Sequence, residues 1–167
     1  MKTTFLLCWL CGISLNNQQH TPSPKPRYTI VRNNRLLDLM TSELTPKNLR
    51  AVYGKNFRVA QTTKSIHDPA VRDTVLVAIT SADKLKVFKN KYNTFLISAA
   101  LMSQRLSFGR GIRIGATKAA FCKAFGLNPA HDAYEIMDMP DGTVGISFLF
   151  KSNTLVEVNY RIVYDVD

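Results

Sequence analysis

One short pattern occurs twice in this sequence of 167 residues. Residues 45–54 (TPKNLRAVYG) correspond to residues 117–126 (TKAAFCKAFG), and each segment has a polar first residue, amphipathic spacing and a final aromatic-Gly pair. Later in each half an apolar strand opens with Asn-Thr, at residues 93–101 (NTFLISAAL) and 153–162 (NTLVEVNYRI). Repetition at this scale indicates supersecondary units, each with an apolar face that needs a partner to cover it. The sequence therefore predicts an α+β protein of two tandem helix-plus-antiparallel-sheet units.

The N-terminus has the features of a secretory signal. Lys2 supplies a positive charge, residues 5–15 (FLLCWLCGISL) form an apolar run of signal length, and Gly12 and Ser14 suit cleavage after Ser14. An N-terminal core helix is the alternative interpretation. The run is shorter than the about 20 apolar residues that span a bilayer. We therefore expect export to the periplasm or the extracellular space, and no transmembrane segment in the mature chain.

The leader, residues 1–14, precedes three further predicted segments. Residues 15–27 form a polar linker with three prolines, which has too little apolar surface to fold by itself. The first α+β unit is predicted over residues 28–105 and the second over residues 106–167. Removal of the leader leaves Cys122 as the only cysteine, so the mature chain forms no internal disulfide. Its spacing from Phe125 on a helix predicts a buried thiol.

The remaining pattern places helices and strands in order. Helices are predicted near residues 36–40 and over residues 45–54 and 117–126, and strands over residues 73–80, 84–91, 94–102, 134–139, 143–151 and from 154 onwards. Residues 55–72 are predicted to be a long connection with a turn at Asp68-Pro69. Two strands present large side chains on one face each: Val144, Ile146, Phe148 and Phe150 on the first, and Val156, Val158, Tyr160, Ile162 and Tyr164 on the second.

Residues 111–126 (GIRIGATKAAFCKAFG) resemble the opening motif of the β-lactamase-inhibitor-protein-like superfamily, in which an apolar-Gly-small-Thr step begins a helix that ends in a Phe-Gly or Leu-Gly pair. The strands that follow, with a hairpin at residues 151–154, fit the later strands of that unit. The resemblance covers residues 111–163, and residues 45–102 more loosely. It implies a binding protein related to secreted β-lactamase inhibitors with two copies of the unit, or to outer-membrane assembly lipoproteins with one copy.

This sequence departs from the superfamily in two respects. The mature chain lacks the paired cysteines of the secreted inhibitors and the lipid-attachment box of the envelope lipoproteins. Because no loop matches an inhibitor's binding loops residue by residue, the resemblance assigns no functional residues.

A glycine-rich and cationic segment, residues 108–118 (FGRGIRIGATK), lies before the second predicted helix. Backbone amides and the helix dipole favour anions at such a place. Arg105, Arg110, Arg113 and Lys118 are therefore candidates for binding a phosphate or sulfate group. The glycine spacing matches neither a dinucleotide fingerprint nor a nucleoside-triphosphate loop. A structural turn between the two units is the alternative.

The formal charge of +10 indicates acidic partners, either nucleic acid or anionic components of a cell envelope. Lys84 and Lys86 alternate with Leu85 and Val87, which predicts the solvated face of a strand. Binding to nucleic acid would favour exposed aromatic residues among the cations. Most of the strand aromatics are expected on the apolar side, and export argues against nucleic acid as well.

Patterns typical of catalysis or metal binding are weak. His67-Asp68 and His131-Asp132 lie near prolines in predicted turns, where these residue types are common for backbone reasons. Glu135, Asp138 and Asp141 suggest no partner for acid-base chemistry, and the sequence has no Gly-x-Ser-x-Gly. We therefore expect neither an enzyme nor a cofactor.

Two function hypotheses remain. The first is an exported, non-catalytic domain of the cell envelope that binds a protein or an envelope component through a sheet face or loops. The second is a basic domain that holds the anionic group of an envelope polymer, and an enzyme whose catalytic residues converge from distant positions is a third possibility.

The signal interpretation predicts the N-terminus of the exported protein. When the full chain is expressed in a secreting host, cleavage after Ser14 leaves Leu15 as the first residue. Terminal sequencing of protein from the periplasm or the medium measures this directly, and a first residue of Met1 there would contradict it.

Overall fold

The computed structural model describes residues 27–162, so the predicted leader, nearly all of the predicted linker and Tyr164 lie outside the described residues. The described residues form these elements in chain order: β1 (Tyr28–Arg32), α1 (Asn34–Thr41), α2 (Pro46–Tyr53), a 3-10 turn (Gly54–Asn56), β2 (Phe57–Lys64), β3 (Arg72–Ile79), β4 (Asp83–Lys89), β5 (Thr94–Leu101), α3 (Lys118–Phe125), β6 (Ala133–Met137), β7 (Val144–Lys151) and β8 (Thr154–Ile162). The predicted α+β class is confirmed.

All eight strands belong to one sheet, in the order β1-β6-β7-β8-β5-β4-β3-β2. Every neighbouring pair is antiparallel except β1 and β6, which run parallel. The pairing of β5 with β8 joins β2–β5 to the strands on the other side. β1 lies within the first predicted unit, residues 28–105, yet it pairs with β6 of the second.

The helix starts follow the predicted capping chemistry. The side chains of Thr45 and Thr117 accept hydrogen bonds from backbone N–H groups three residues ahead, at 3.3 and 3.2 Å. α3 ends at Gly126, which adopts the predicted left-handed conformation with φ 69°. α2 also ends before a glycine, but Gly54 keeps right-handed angles and begins the 3-10 turn.

The core lies between the helices and one face of the sheet. Phe121 of α3 is fully buried, and its ring centroid lies 4.8 to 5.4 Å from those of Phe125, Tyr134, Phe148 and Phe150. The predicted apolar face of residues 143–151 is therefore confirmed, as is the burial of Cys122. Full burial of each large aromatic side chain contributes roughly 1.5–3 kcal/mol to the free energy of folding.

Two sequence predictions are wrong in detail. Eight residues of the predicted connection 55–72 form strand β2, which the hydrophobic pattern could not indicate because seven of the eight are exposed. In β8 the predicted Val158 is buried, but Leu155, which was not predicted to face the core, is buried as well, and Val156 is only partly buried. The pairing of β7 with β8 shifts register between Leu149 and Phe150, which breaks strict alternation.

A buried carboxylate connects α2 to the sheet. Asp83, at the start of β4, is 3% exposed and accepts hydrogen bonds from the Tyr53 hydroxyl at 2.8 Å and from the Ser103 hydroxyl. The backbone N–H groups of Met102 and Ser103 donate to the same carboxylate at 3.0 Å. Burial alone would raise the pKa of Asp83, but these hydrogen bonds outweigh it and hold the pKa below its ordinary value.

We expect the substitution Asp83→Asn to lower the free energy of unfolding by about 1–3 kcal/mol at pH 7, because an amide leaves buried donors poorly matched. A carboxyl whose pKa is depressed in the folded state stabilises the protein above its unfolded pKa, and this contribution is lost as pH falls through the folded pKa. Urea unfolding at several pH values should therefore show the deficit shrinking in acid. The exposed Asp38→Asn serves as the control, and a pH-independent deficit would contradict the account.

Candidate binding surfaces

The sheet face opposite the helices carries the side chains that alternate, along each strand, with those facing the core. On β4, Lys84 and Lys86 are exposed while Leu85 and Val87 are 1% and 4% exposed, which confirms the predicted solvated face of this strand. We call this face the open face, since no helix among residues 27–162 packs its buried residues against it.

One cross-strand row on the open face passes through all eight strands. In sheet order its successive register partners are Arg32, Met137, Gly145, Arg161, Ser98, Lys86, Val77 and Arg58. Four of the eight residues are cations, and all four are exposed. Neighbouring strands lie about 4.8 Å apart, so the row extends over roughly 34 Å.

The cations of this row differ in their surroundings. Arg161 Nη2 lies 2.9 Å from Oε1 of Glu135, a mostly buried carboxylate of β6, and Arg32 Nη1 donates to the Pro140 carbonyl at 2.9 Å. The ion pairs found within the described part of the chain do not include Lys86 or Arg58. The positive potential is therefore least compensated at the β2–β4 end of the open face.

Lys55, Arg58, Lys84 and Lys86 form what we call the basic patch. Lys55 and Arg58 line a cavity of about 290 Å³ together with Asn56, Val77 and Ile79. Ile79 is 61% exposed and is the register partner of Lys84. The patch thus combines cations with exposed aliphatic surface, which is the composition of a binding surface for an acidic partner.

A second feature lies on the helix side, where three consecutive residues have positive φ. Gly109, Arg110 and Gly111 adopt φ values of 69°, 47° and 73°. A Cβ atom on Gly109 would lie 2.4 Å from the backbone oxygen of Leu39. The glycine is therefore required both by its conformation and by its contact with α1. This left-handed turn sets the direction in which the Arg110 side chain leaves the backbone.

The four cations predicted to bind an anion each contact a different protein group. Arg105 lies over the Tyr53 ring, 6.0 Å from its centroid, and Arg113 Nη1 donates to the Gln104 carbonyl at 3.2 Å. Arg110 Nη1 donates to the carbonyl of Ala124 in the last turn of α3.

Lys118 forms an ion pair with Asp132, with Nζ 2.8 Å from Oδ1. The hydrogen bond from Lys118 is the largest cause of the lowered pKa of Asp132. Lys118 therefore already has an anionic partner within the protein, whereas Arg110 also lines a cavity beside α1.

Four of the five acidic residues considered for chemistry, Asp68, Asp132, Glu135 and Asp138, have structural partners. Asp68 Oδ1 accepts a hydrogen bond from Ala70 N–H within its turn, and Asp138 accepts from Thr143 and Val144 at 2.8 and 2.9 Å. Glu135 pairs with Arg161. Across residues 27–162 there is no group of three or more His, Cys, Asp or Glu residues that could hold a metal ion.

Comparison with known proteins gives no match to a family model, to a curated protein or to a solved structure. Within the described range, each helix is too short or too polar to cross a bilayer.

Sequence reasoning missed the cation row because the row depends on pairing between distant strands. Arg58 lies in a segment predicted as a connection, and its alignment with Lys86 requires the register of β2, β3 and β4. Arg161 joins the row only through the pairing of β8 with β5. The alternating lysines of β4 were the only local signal of this surface.

The turn at Gly109 allows a paired test. We expect Gly111→Ala to cost about 1–2 kcal/mol of folding free energy, the ordinary cost of a left-handed conformation, because no heavy atom beyond the two adjacent residues lies within 4 Å of the position that the new Cβ would occupy. Gly109→Ala should cost about 1–3 kcal/mol more, because its Cβ would overlap the backbone of α1. Urea unfolding of both variants measures the difference, and equal losses would contradict the required contact with Leu39.

Proposed function

We propose that this protein is an exported, non-catalytic binding domain of the cell envelope that uses its open face to hold the acidic surface of a protein or of another envelope component. The observation that carries this proposal is the row of exposed cations across the sheet, with its least compensated charges in the basic patch.

The dimensions of the open face suit a macromolecular partner. A standard interface covers about 800 Å² on each partner, which corresponds to a patch roughly 30 Å across. The cation row has a similar length, and Ile79 and Val77 add apolar surface beside the charges. Cations at such a surface chiefly accelerate association, while burial of apolar side chains slows dissociation.

We also infer a tandem origin for the two halves, as in the superfamily that residues 111–126 resemble. Support comes from the two consecutive strand triplets, β3-β4-β5 and β6-β7-β8, which meet at β5 and β8. Further support is the Thr cap that begins both α2 and α3. The inhibitors of that superfamily bind other proteins, in agreement with a non-catalytic role.

The test uses two triple variants of equal charge. Arg58→Gln with Lys84→Gln and Lys86→Gln neutralises three of the four cations of the basic patch, and Lys47→Gln with Lys123→Gln and Lys151→Gln neutralises three exposed cations elsewhere. Each variant lowers the formal charge from +10 to +7. The tagged proteins are crosslinked in an envelope extract at several salt concentrations, and captured partners are identified by mass spectrometry.

We expect the wild type and the control variant to capture the same acidic partner, and the patch variant to lose at least about tenfold of it, with stronger capture at low salt. Equal capture by both variants would contradict the proposal, because net charge alone would then explain binding. Preferential, salt-dependent retention of DNA or RNA by the wild type would contradict it as well.

A further inference from the structure

A cleft on the helix side of the sheet is lined by residues that do not belong to the open face. It has a volume of about 190 Å³ and is lined by Asn33, Arg35, Leu36, Leu39, Arg110 and Phe125. Two of these residues are exposed arginines, three are apolar, and none is acidic. The cleft therefore has a cationic rim and an apolar floor.

The backbone holds Arg110 at this cleft. The left-handed turn of residues 109–111 packs against α1 through Gly109, and the Arg110 guanidinium donates one hydrogen bond to the Ala124 carbonyl. A guanidinium has five N–H donors in a fixed planar arrangement. Four donors of Arg110 therefore have no protein acceptor among the described residues, while the contact with α3 limits how far the side chain can move.

The start of α1 adds to the positive potential of the cleft. Asn33 caps this helix, and the first turn contains no acidic residue, so the positive end of the helix dipole has no carboxylate beside it. The opposite side of α1 lines a different cavity, of about 390 Å³, whose carboxylates are those of Asp38 and Asp138. The helix thus separates an acidic cavity from a cationic one.

We propose that the Arg35–Arg110 cleft binds a carboxylate joined to a short apolar group. Arginine donors match the two oxygens of a carboxylate and bind them through paired hydrogen bonds. The apolar group would lie on Leu36, Leu39 and Phe125, which are partly or largely buried already. At about 30 Å³ for each water molecule, the volume equals roughly six waters, which is room for one branched aliphatic chain.

This ligand chemistry has two sources. One is a free short-chain carboxylic acid, and the other is the C-terminus of a peptide whose last side chain is apolar. The cleft lies on the face opposite the basic patch, so this inference does not rest on the proposed function. Inorganic phosphate and sulfate are anions without an apolar group, so they should contact the arginines but not the apolar floor of the cleft.

The experiment is a titration of ¹⁵N-labelled protein followed by amide chemical shifts. The probes are isovalerate, its neutral amide, acetate, inorganic phosphate, and the peptide Ala-Ala-Leu with a free or an amidated C-terminus. The variants are Arg35→Gln and Arg110→Asn, since asparagine tolerates the left-handed conformation of this position. Arg50→Gln, on α2 and outside the cleft, is the matched control, and circular dichroism verifies that each variant is folded.

We expect saturable shifts at the amides of Asn33, Leu39 and Arg110 with isovalerate, weakened at least about tenfold in either cleft variant and unchanged in Arg50→Gln. The neutral amide should not bind, and acetate and phosphate should bind more weakly than isovalerate. Tighter binding of the free-acid peptide than of isovalerate identifies a chain end as the source, and the reverse identifies a free acid.

Three results would overturn the inference. One is the absence of saturation with both isovalerate and the free-acid peptide up to about 10 mM, a concentration that corresponds to very weak binding. Another is that Arg50→Gln weakens the binding of isovalerate as much as the cleft variants do. The last is equal affinity for isovalerate and phosphate, because the apolar floor would then contribute nothing.

Discussion

Four residue pairs between β5 and β8 hold the sheet together at its centre, where residues 98–101 run antiparallel to residues 158–161. Ala99 and Leu101 point to the core from one strand, and Val158 does so from the other. A slip of one residue would move these side chains to the open face and bring polar ones into the core. Burial and hydrogen bonding therefore select the same register, and every cross-strand row depends on it.

Covering one face with helices leaves the other face to polar and cationic side chains. The aromatic cluster around Phe121 joins α3 to β6 and β7, while the Asp83 network joins α2 to β4 and to the end of β5. Both connections lie on the helix side of the sheet or at its margin. The open face consequently lies outside these two connections, and exposed charges such as Lys86 remain there at little cost to stability.

On the helix side, close backbone packing creates the second surface. Gly109 brings the chain against Leu39 more closely than any residue with a side chain could, and Arg110 follows directly in a left-handed conformation. Such conformations cost free energy and persist where surrounding contacts enforce them. Here the contacts with α1 and with the end of α3 enforce the position of one guanidinium beside an apolar floor.

Signals from neighbouring residues, namely hydrophobic period, capping side chains and turn glycines, predicted the three helices, the Thr caps of α2 and α3, and six of the eight strands. The sequence also indicated the solvated lysines of β4. Pairing between distant segments, by contrast, makes β2 a strand, places β1 beside β6, and aligns Arg58 and Arg161 with Lys86. The tertiary fold alone placed Arg35 beside Arg110. These arrangements depend on contacts between residues distant along the chain, and an exposed edge strand such as β2 carries no burial pattern that could reveal it.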